Sequence, residues 1–376
     1  MKVLIAGGGT AGHVNPAIAI AEIIDKKLPG SEIAFVGRPI GIENDLFGAT
    51  GRKMYHIKAS GFYRSLSPKN FVSLYRMIAS PIKAKRIIRE FAPDVVIGTG
   101  GYVCYPLVKA AVALGVPTLL HESNAVPGLA VKMLAQKVSS VLLNFEESAA
   151  RLEEGVHHEV VGNPTRSGFS TLDRESTRRA LGIADDEKLI VSFGGSLGAA
   201  RVNEACAQLM KEVSLPDKKI RHIHATGKRE YDTYSAFRNQ ISLLSSGRCT
   251  IQAYINNMPE LLSAADLVIS RSGAMTLTEL AASACPAILI PSPNVTDNHQ
   301  YKNAKVLADA GAALLLEESS LGGSALSDAA RRLLNDSHAR GELSRRISAF
   351  ARKDANDLVF DAIMRIASTT KDTRKQ

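Results

Sequence analysis

A short apolar run, a glycine-rich turn and the start of an amphipathic helix occur in that order twice, and this repetition limits the fold more than any other feature of the chain. The first copy is residues 2–6, then Gly7-Gly8-Gly9-Thr10-Ala11-Gly12, then a helical pattern over residues 16–27 with Ile20, Ile23 and Ile24 on one face. The second is residues 188–193, then Gly194-Gly195-Ser196-Leu197-Gly198, then a helix from about Ala199. Further strand-like runs lie at 33–36, 94–98, 118–121 and 138–143 in the first half, and at 221–225, 250–253, 267–270, 287–291 and 313–316 in the second. Helical stretches such as 101–114 separate them, and the segment from Ser337 is helical and polar, with fraying expected from Thr369. Such alternation predicts parallel sheets with helices on both faces. A chain of 376 residues also exceeds one ordinary core, and Gly162-Asn163-Pro164 supplies a turn between two bodies. The fold class is therefore α/β: two Rossmann-like, doubly wound domains, at 1–163 and 164–353, with a helix at about 354–370 packing back on the first. Ligands are expected at the carboxyl ends of the strands, in a cleft between the halves.

An apolar fraction of 45% and a charged fraction of 22% suit a globular chain. No apolar run reaches the roughly 18–20 residues of a membrane span, and the opening run is too short for a signal-peptide core. Cys104, Cys206, Cys249 and Cys285 are far apart, which predicts small buried thiols in a reducing compartment and no zinc site. The net charge of +9 favours anionic partners.

The spacing Gly7-x-Gly9-x-x-Gly12 fits a dinucleotide fingerprint, but a nicotinamide site also wants an acid closing the second strand. Glu32 stands at the wrong end of that strand and Arg38 follows it, so NAD is disfavoured and NADP is a weak alternative. In the second half two turns are ready for an anion: Gly194–Ala199, and Arg271-Ser272-Gly273 before a helix from about Ala274. That helix would aim its positive end at a diphosphate, with Glu279 placed to accept bonds from ribose hydroxyls. Asp-x-Asp is absent, so helix dipoles and backbone N–H groups are expected to stabilise a leaving diphosphate without a metal.

Five motifs in order complete the pattern: Gly7–His13 followed by Val14-x-Pro16, His121-Glu122-Ser123-Asn124, Gly162-Asn163-Pro164-x-Arg166, Gly194-Gly195-Ser196-x-Gly198-Ala199 and Arg271-Ser272-Gly273-Ala274-x-Thr276-x-x-Glu279. Together they resemble the MurG family of bacterial peptidoglycan transferases, which are GT-B enzymes, over nearly the whole chain. The resemblance implies inverting transfer of N-acetylglucosamine from UDP to the 4-hydroxyl of the N-acetylmuramic acid of lipid I. It implies no cofactor, a peripheral place on the cytoplasmic face of the inner membrane, and other cell-wall synthesis proteins as partners. By motif, the donor contacts would be Thr10, Ala11, Gly12, Asn124, Arg166, Ser196, Ile255, Ala274, Met275, Thr276, Leu277, Thr278, Glu279 and Gln300. Ala11, Ser123 and Asn298-His299 depart from residues common in the family at those places.

Inversion needs a base for the acceptor hydroxyl. His13 suits that role, or bonds a phosphate or the backbone; Glu122 is the base or orients His13; His121 is structural. Residues 67–91 give the membrane signal. Ser67 and Pro68 would open a helix; Phe71, Leu74, Tyr75, Ile78 and Ile82 form a stripe; and Lys69, Arg76 and Lys83 lead its basic flanks. Pro81 is expected to interrupt or bend this helix. Nucleic acid is disfavoured, because the basic residues carry no aromatic platform and Trp is absent. A GT-B enzyme with another acceptor, a UDP-sugar epimerase and a non-catalytic nucleotide binder are the competing readings.

Overall fold

The computed structural model describes residues 1–59, 69–165, 169, 172–195 and 198–373, with side chains of 69–79, 296 and 369–373 outside the description. The chain divides into two compact units: Met1–Arg166 with Arg352–Gln376, and Ser167–Ala351.

The first unit alternates throughout: β1 (Lys2–Ala6), α1 (Ala11–Lys27), β2 (Glu32–Gly37), α2 (Ile42–Gly48), β3 (Met54–His56), α3 (Lys69–Phe91), β4 (Val95–Gly98), α4 (Cys104–Ala113), β5 (Thr118–Glu122), α5 (Leu129–Leu134), β6 (Ser140–Leu143), α6 (Glu146–Ala149) and β7 (His158–Val160). Its seven strands are parallel, in the order β3-β2-β1-β4-β5-β6-β7. Period-2 alternation splits the core in two. Leu4, Val96 and Leu120 meet Ile87, Ile88, Phe91 and Leu107 on one face. On the other, Val3, Ile5 and Ile97 meet Ile20 and Ile24.

The second unit holds α7 (Arg174–Ala180), β8 (Lys188–Phe193), α8 (Ala200–Leu209), β9 (Ile220–Ala225), α9 (Ser235–Leu244), β10 (Cys249–Gln252), α10 (Met258–Ala264), β11 (Leu267–Ser270), α11 (Ala274–Ala282), β12 (Ala287–Leu289), α12 (His299–Asp309), β13 (Leu314–Leu315), α13 (Ala325–Asn335) and α14 (Ser337–Ser348). Its six parallel strands run β10-β9-β8-β11-β12-β13. Ile190, Leu267, Ile269 and Ile288 pack against Val202, Leu209, Leu326 and Leu333. The chain then returns to the first unit as α15 (Ala355–Thr373), which places Val359, Ala362 and Ile363 in the α1 face of that core.

Several expectations are corrected. α1 starts at Ala11, five residues before the sequence estimate, with Pro16 inside it. Pro16 cannot donate to the Gly12 carbonyl, but Gly12 is exposed, so water can satisfy that carbonyl. Pro81 does not interrupt α3, which runs unbroken from Lys69 to Phe91. The cost of the lost bond, about 3 kcal/mol, is offset by burial of Ala84, Ile87, Ile88 and Phe91. α15 is helical through Thr373, past the expected fraying point. The Ser67–Pro68 cap lies outside the described residues. All four cysteines are buried and unpaired, and burial pushes the Cys104, Cys206 and Cys285 thiols up to about 12.

Candidate active site

Both sheets reverse strand order beside their first glycine-rich turn: between β1 and β4 in one unit, between β8 and β11 in the other. In open α/β sheets the crevice at that reversal takes the ligand.

In the first unit the turn after β1 packs directly on the turn after β4. Gly101 has φ +82°, and a Cβ there would lie 2.0 Å from the Gly8 carbonyl oxygen, so only glycine fits. Thr10 caps α1 in an extended conformation, and the first α-helical bond is Val14 N–H to the Thr10 carbonyl, 3.2 Å. The Ala11 and Gly12 N–H groups therefore stand in the anion-binding position of a helix start.

His13 sits in this first turn of α1. Its Nδ1 is 3.1 Å from the Gly8 carbonyl oxygen and 3.3 Å from Thr10 Oγ1. A carbonyl only accepts, so Nδ1 carries the hydrogen and Nε2 the lone pair, a tautomer inferred from this bond. The ring lies against Gly100, where a Cβ would come within 2.5 Å of it. Buried Thr99 donates to the His13 carbonyl at 2.6 Å and reaches the Ala6 carbonyl at 3.2 Å, tying α1 to the end of β4. Burial pulls the His13 pKa down; the Gly8 bond and the Glu43 charge offset part of this. The imidazole is thus neutral at neutral pH.

Glu122 is buried, and its carboxylate accepts the backbone and side-chain N–H of Asn124, both at 2.9 Å, and Gly128 N–H at 2.7 Å. These bonds shape the loop after β5 and set Asn124. His121 is buried, 3.2 Å from the Gly162 carbonyl through Nε2, with burial pulling its pKa down to about 4, in keeping with a structural role.

In the second unit, a Cβ at Gly198 (φ +84°) would lie 2.3 Å from the Thr226 carbonyl oxygen, so this turn also requires glycine. α11 begins after Gly273 in extended conformation, and Leu277 N–H to Gly273 carbonyl, 3.0 Å, is its first bond. The N–H groups of Ala274, Met275 and Thr276 therefore form its positive end. Met275, Leu277 and Ile255 have interior side chains, so any ligand contact there is through the main chain. Thr278 Oγ1 donates back to the Ala274 carbonyl at 3.1 Å, while Thr276 and Glu279 are partly exposed.

Arg271 is committed to structure: it donates to the Ile290 and Pro291 carbonyls at 3.2 and 3.1 Å and pairs with Glu318. Ser272 donates to the Gln300 carbonyl at 2.8 Å, and Gln300 Oε1 accepts Ser292 N–H at 2.9 Å, which fixes that side chain beside the α11 start. Just before it, Asp297 and Asn298 are both left-handed, with φ of 54° and 51°. A cavity of about 310 Å³ opens here, lined in part by Arg201, Asn298, Tyr301 and Glu318.

Arg166 and Ser196 lie outside the described residues. So do the side chains of Lys69, Phe71, Leu74, Tyr75, Arg76 and Ile78, although their backbone is helical. Lys83 is exposed, next to Ile82 at 70% exposure. The sequence reading missed Thr99 and Glu43. A third glycine-rich turn, Thr99-Gly100-Gly101, marked the first. Glu43 carried no comparable signal, yet it pairs with Arg38 (Nε to Oε1, 2.8 Å) and so accounts for the arginine weighed for NADP.

Two doubly wound parallel sheets, each with its glycine turn at the strand-order reversal, make up the two-domain GT-B architecture. Residues 3–143 match the glycosyltransferase family 28 N-terminal domain and residues 189–359 its C-terminal domain. The chain is 38% identical over 96% of its length to the UDP-N-acetylglucosamine–N-acetylmuramyl-(pentapeptide) pyrophosphoryl-undecaprenol N-acetylglucosamine transferase of Acetivibrio thermocellus, covering 97% of that protein. It is 41% identical to the enzyme of the same name from Carboxydothermus hydrogenoformans, over 85% of each chain. The crystal structure of Acinetobacter baumannii MurG matches with a TM-score of 0.74 at 28% identity, over 97% of this chain and 99% of that one. The chain belongs to this family of N-acetylglucosamine transferases.

Proposed function

We propose that the protein transfers N-acetylglucosamine from UDP-N-acetylglucosamine to the C4 hydroxyl of N-acetylmuramic acid in undecaprenyl-linked lipid I, forming lipid II with inversion. The observation that carries the mechanism is the 3.1 Å contact of His13 Nδ1 with the Gly8 carbonyl oxygen, which assigns the hydrogen to Nδ1 and leaves Nε2 as a base. Nε2 takes the hydroxyl proton as the acceptor oxygen bonds to C1 of the sugar and the bond from C1 to the diphosphate oxygen breaks. The departing UDP carries its negative charge to the N–H groups at the start of α11, with Glu279 accepting ribose hydroxyls and Gln300 beside the sugar. Glu122 holds the Asn124 loop and takes no proton. Family membership sets aside the epimerase and the non-catalytic binder, which fold alone would not do.

The direct test is transfer of labelled N-acetylglucosamine to a short-chain lipid I analogue, with chelator in place of metal. Equal rates with and without chelator are expected. Reaction of UDP-N-acetylglucosamine without acceptor would point to an epimerase.

The lipid acceptor puts the enzyme at the cytoplasmic face of the inner membrane as a peripheral protein. Among the described residues no helix is long and apolar enough to cross a bilayer. Contact through α3 is supported by exposed Ile82, Lys83, Arg86 and Arg89. Each basic residue near an anionic surface contributes about 1 kcal/mol. Changing Lys69, Arg76 and Lys83 together to Glu should therefore weaken binding to anionic vesicles on the order of a hundredfold at low salt. Unchanged binding by the folded variant would remove α3 from the contact.

A further inference from the structure

We infer that Glu43, with Arg38, is a positioning residue that holds the first glycine-rich turn in its reactive shape and through it sets His13. This rests on His13 being the base. Glu43 opens toward the turn from the first coil of α2 and is fully buried. Its Oε2 accepts the Gly9 N–H at 3.2 Å; its Oε1 accepts the Arg38 backbone N–H at 3.3 Å and Nε–H at 2.8 Å. A second guanidinium N–H, from Nη2, reaches Oε2 at 3.4 Å.

Three glycines from two turns leave room for this side chain. A Cβ at Gly8 would lie 2.9 Å from Oε1, one at Gly37 2.9 Å from Cγ and one at Gly41 2.4 Å from Oε2. The carboxylate is thus a peg that joins the turn after β1 to the turn after β2. In a dinucleotide-binding fold an acid near the end of the second strand faces the ribose. Here the acid faces the underside of the turn and has no exposed surface, so it does not bind ligand.

The consequence for His13 is geometric and electrostatic. Gly8 supplies the carbonyl that holds Nδ1, and Gly9, the next residue, is bonded to Glu43. Loss of the Gly9 bond loosens the peptide that orients the ring. Burial raises the Glu43 pKa, but the Arg38 and backbone bonds outweigh it and hold the carboxyl below its ordinary range, so it is charged at neutral pH. That charge favours protonated His13, against the opposing effect of burial.

The test is the pH dependence of kcat for the full chain with saturating UDP-N-acetylglucosamine and lipid I analogue, for wild type, Glu43→Gln and the double variant Arg38→Gln/Glu43→Gln. The double variant removes the partly buried cation that the single change leaves without its carboxylate. A loss in kcat on the order of tenfold or more is expected, with the acid limb of Glu43→Gln displaced toward lower pH because the negative charge is gone. The double variant loses both charges, and its limb moves less but in the same direction, because the loosened Gly8 bond no longer favours protonated His13. A folded variant whose limb stays at the wild-type position overturns the proposal, since a merely structural pair would leave it there. Failure of both variants to fold makes the pair a stability element alone and also overturns it. His13→Ala separates the two ideas. If it keeps the acid limb, the base assignment falls and takes this proposal with it. If it abolishes the limb while the Glu43 variants leave it unmoved, only the role of Glu43 is lost.

Discussion

Replacing His13 with alanine is expected to lower kcat by on the order of 10²- to 10⁴-fold, the usual weight of a positioned base, with little change in the dissociation constant for UDP-N-acetylglucosamine. The reason is that a proton leaves the acceptor hydroxyl only as the transition state is reached, so the group that takes it adds nothing to ground-state binding. The ring is held by Gly8 and packed on Gly100, and removing it leaves the α1 start in place, because the backbone there is braced by Thr99 and Thr10. The pH profile gives a second check. A base works when unprotonated, so turnover is present above the His13 pKa and falls as pH drops through it. Burial places that pKa below the ordinary imidazole value of about 6.5, so the wild-type acid limb should lie on the acid side of that value and vanish in the variant. Stopped-flow turnover against pH, with calorimetry of donor binding, measures both. A variant that loses affinity and turnover in equal proportion would make His13 a donor-positioning group.

Glu279→Ala is expected to act on the other term. A carboxylate that accepts bonds from sugar hydroxyls contributes roughly 1.5–3 kcal/mol, so the variant should bind UDP about ten- to a hundredfold more weakly. Turnover at saturating donor should change far less, because the ribose is bound alike in ground and transition states. Glu279 is partly exposed and lies just beyond the positive end of α11. A paired measurement sharpens the test. Wild type should discriminate against the 2′-deoxy nucleotide, and Glu279→Ala should lose that discrimination. Equal affinity of variant and wild type for UDP, with the variant folded, would take Glu279 out of the nucleotide site.

The elements that carry the site were legible because their signals are local. β1, β8 and β11 are buried apolar runs cut off by glycine, and the start of α11 fell at Ala274 as the turn residues implied. β3 and β7 were missed. Each is three residues at the sheet's margin, and Met54-Tyr55-His56 and His158-Glu159-Val160 are half-buried or exposed, so neither makes an apolar run. The early start of α1 was hidden by Pro16, which reads as a first-turn residue but is sixth in the helix. Glu43 was invisible for a different reason. Its importance comes from clearance around three glycines and a bond to Gly9, 34 positions away in sequence, and neither periodicity nor spacing encodes such a meeting. Sequence motifs could identify Glu122 as a site residue but not divide its roles; the three N–H bonds to its carboxylate favour shaping the loop.

Because α15 supplies Val359, Ala362, Ile363 and Ala367 to the sheet face that α1 covers, the core of the opening unit is incomplete until residues beyond Ala351 have been synthesised. On the ribosome, where early segments ordinarily settle first, the nascent β1–β7 region waits with a greasy flank uncovered while some 185 intervening residues emerge. Chains released before that helix appears would carry this apolar face outward, open to chaperones or to proteolysis.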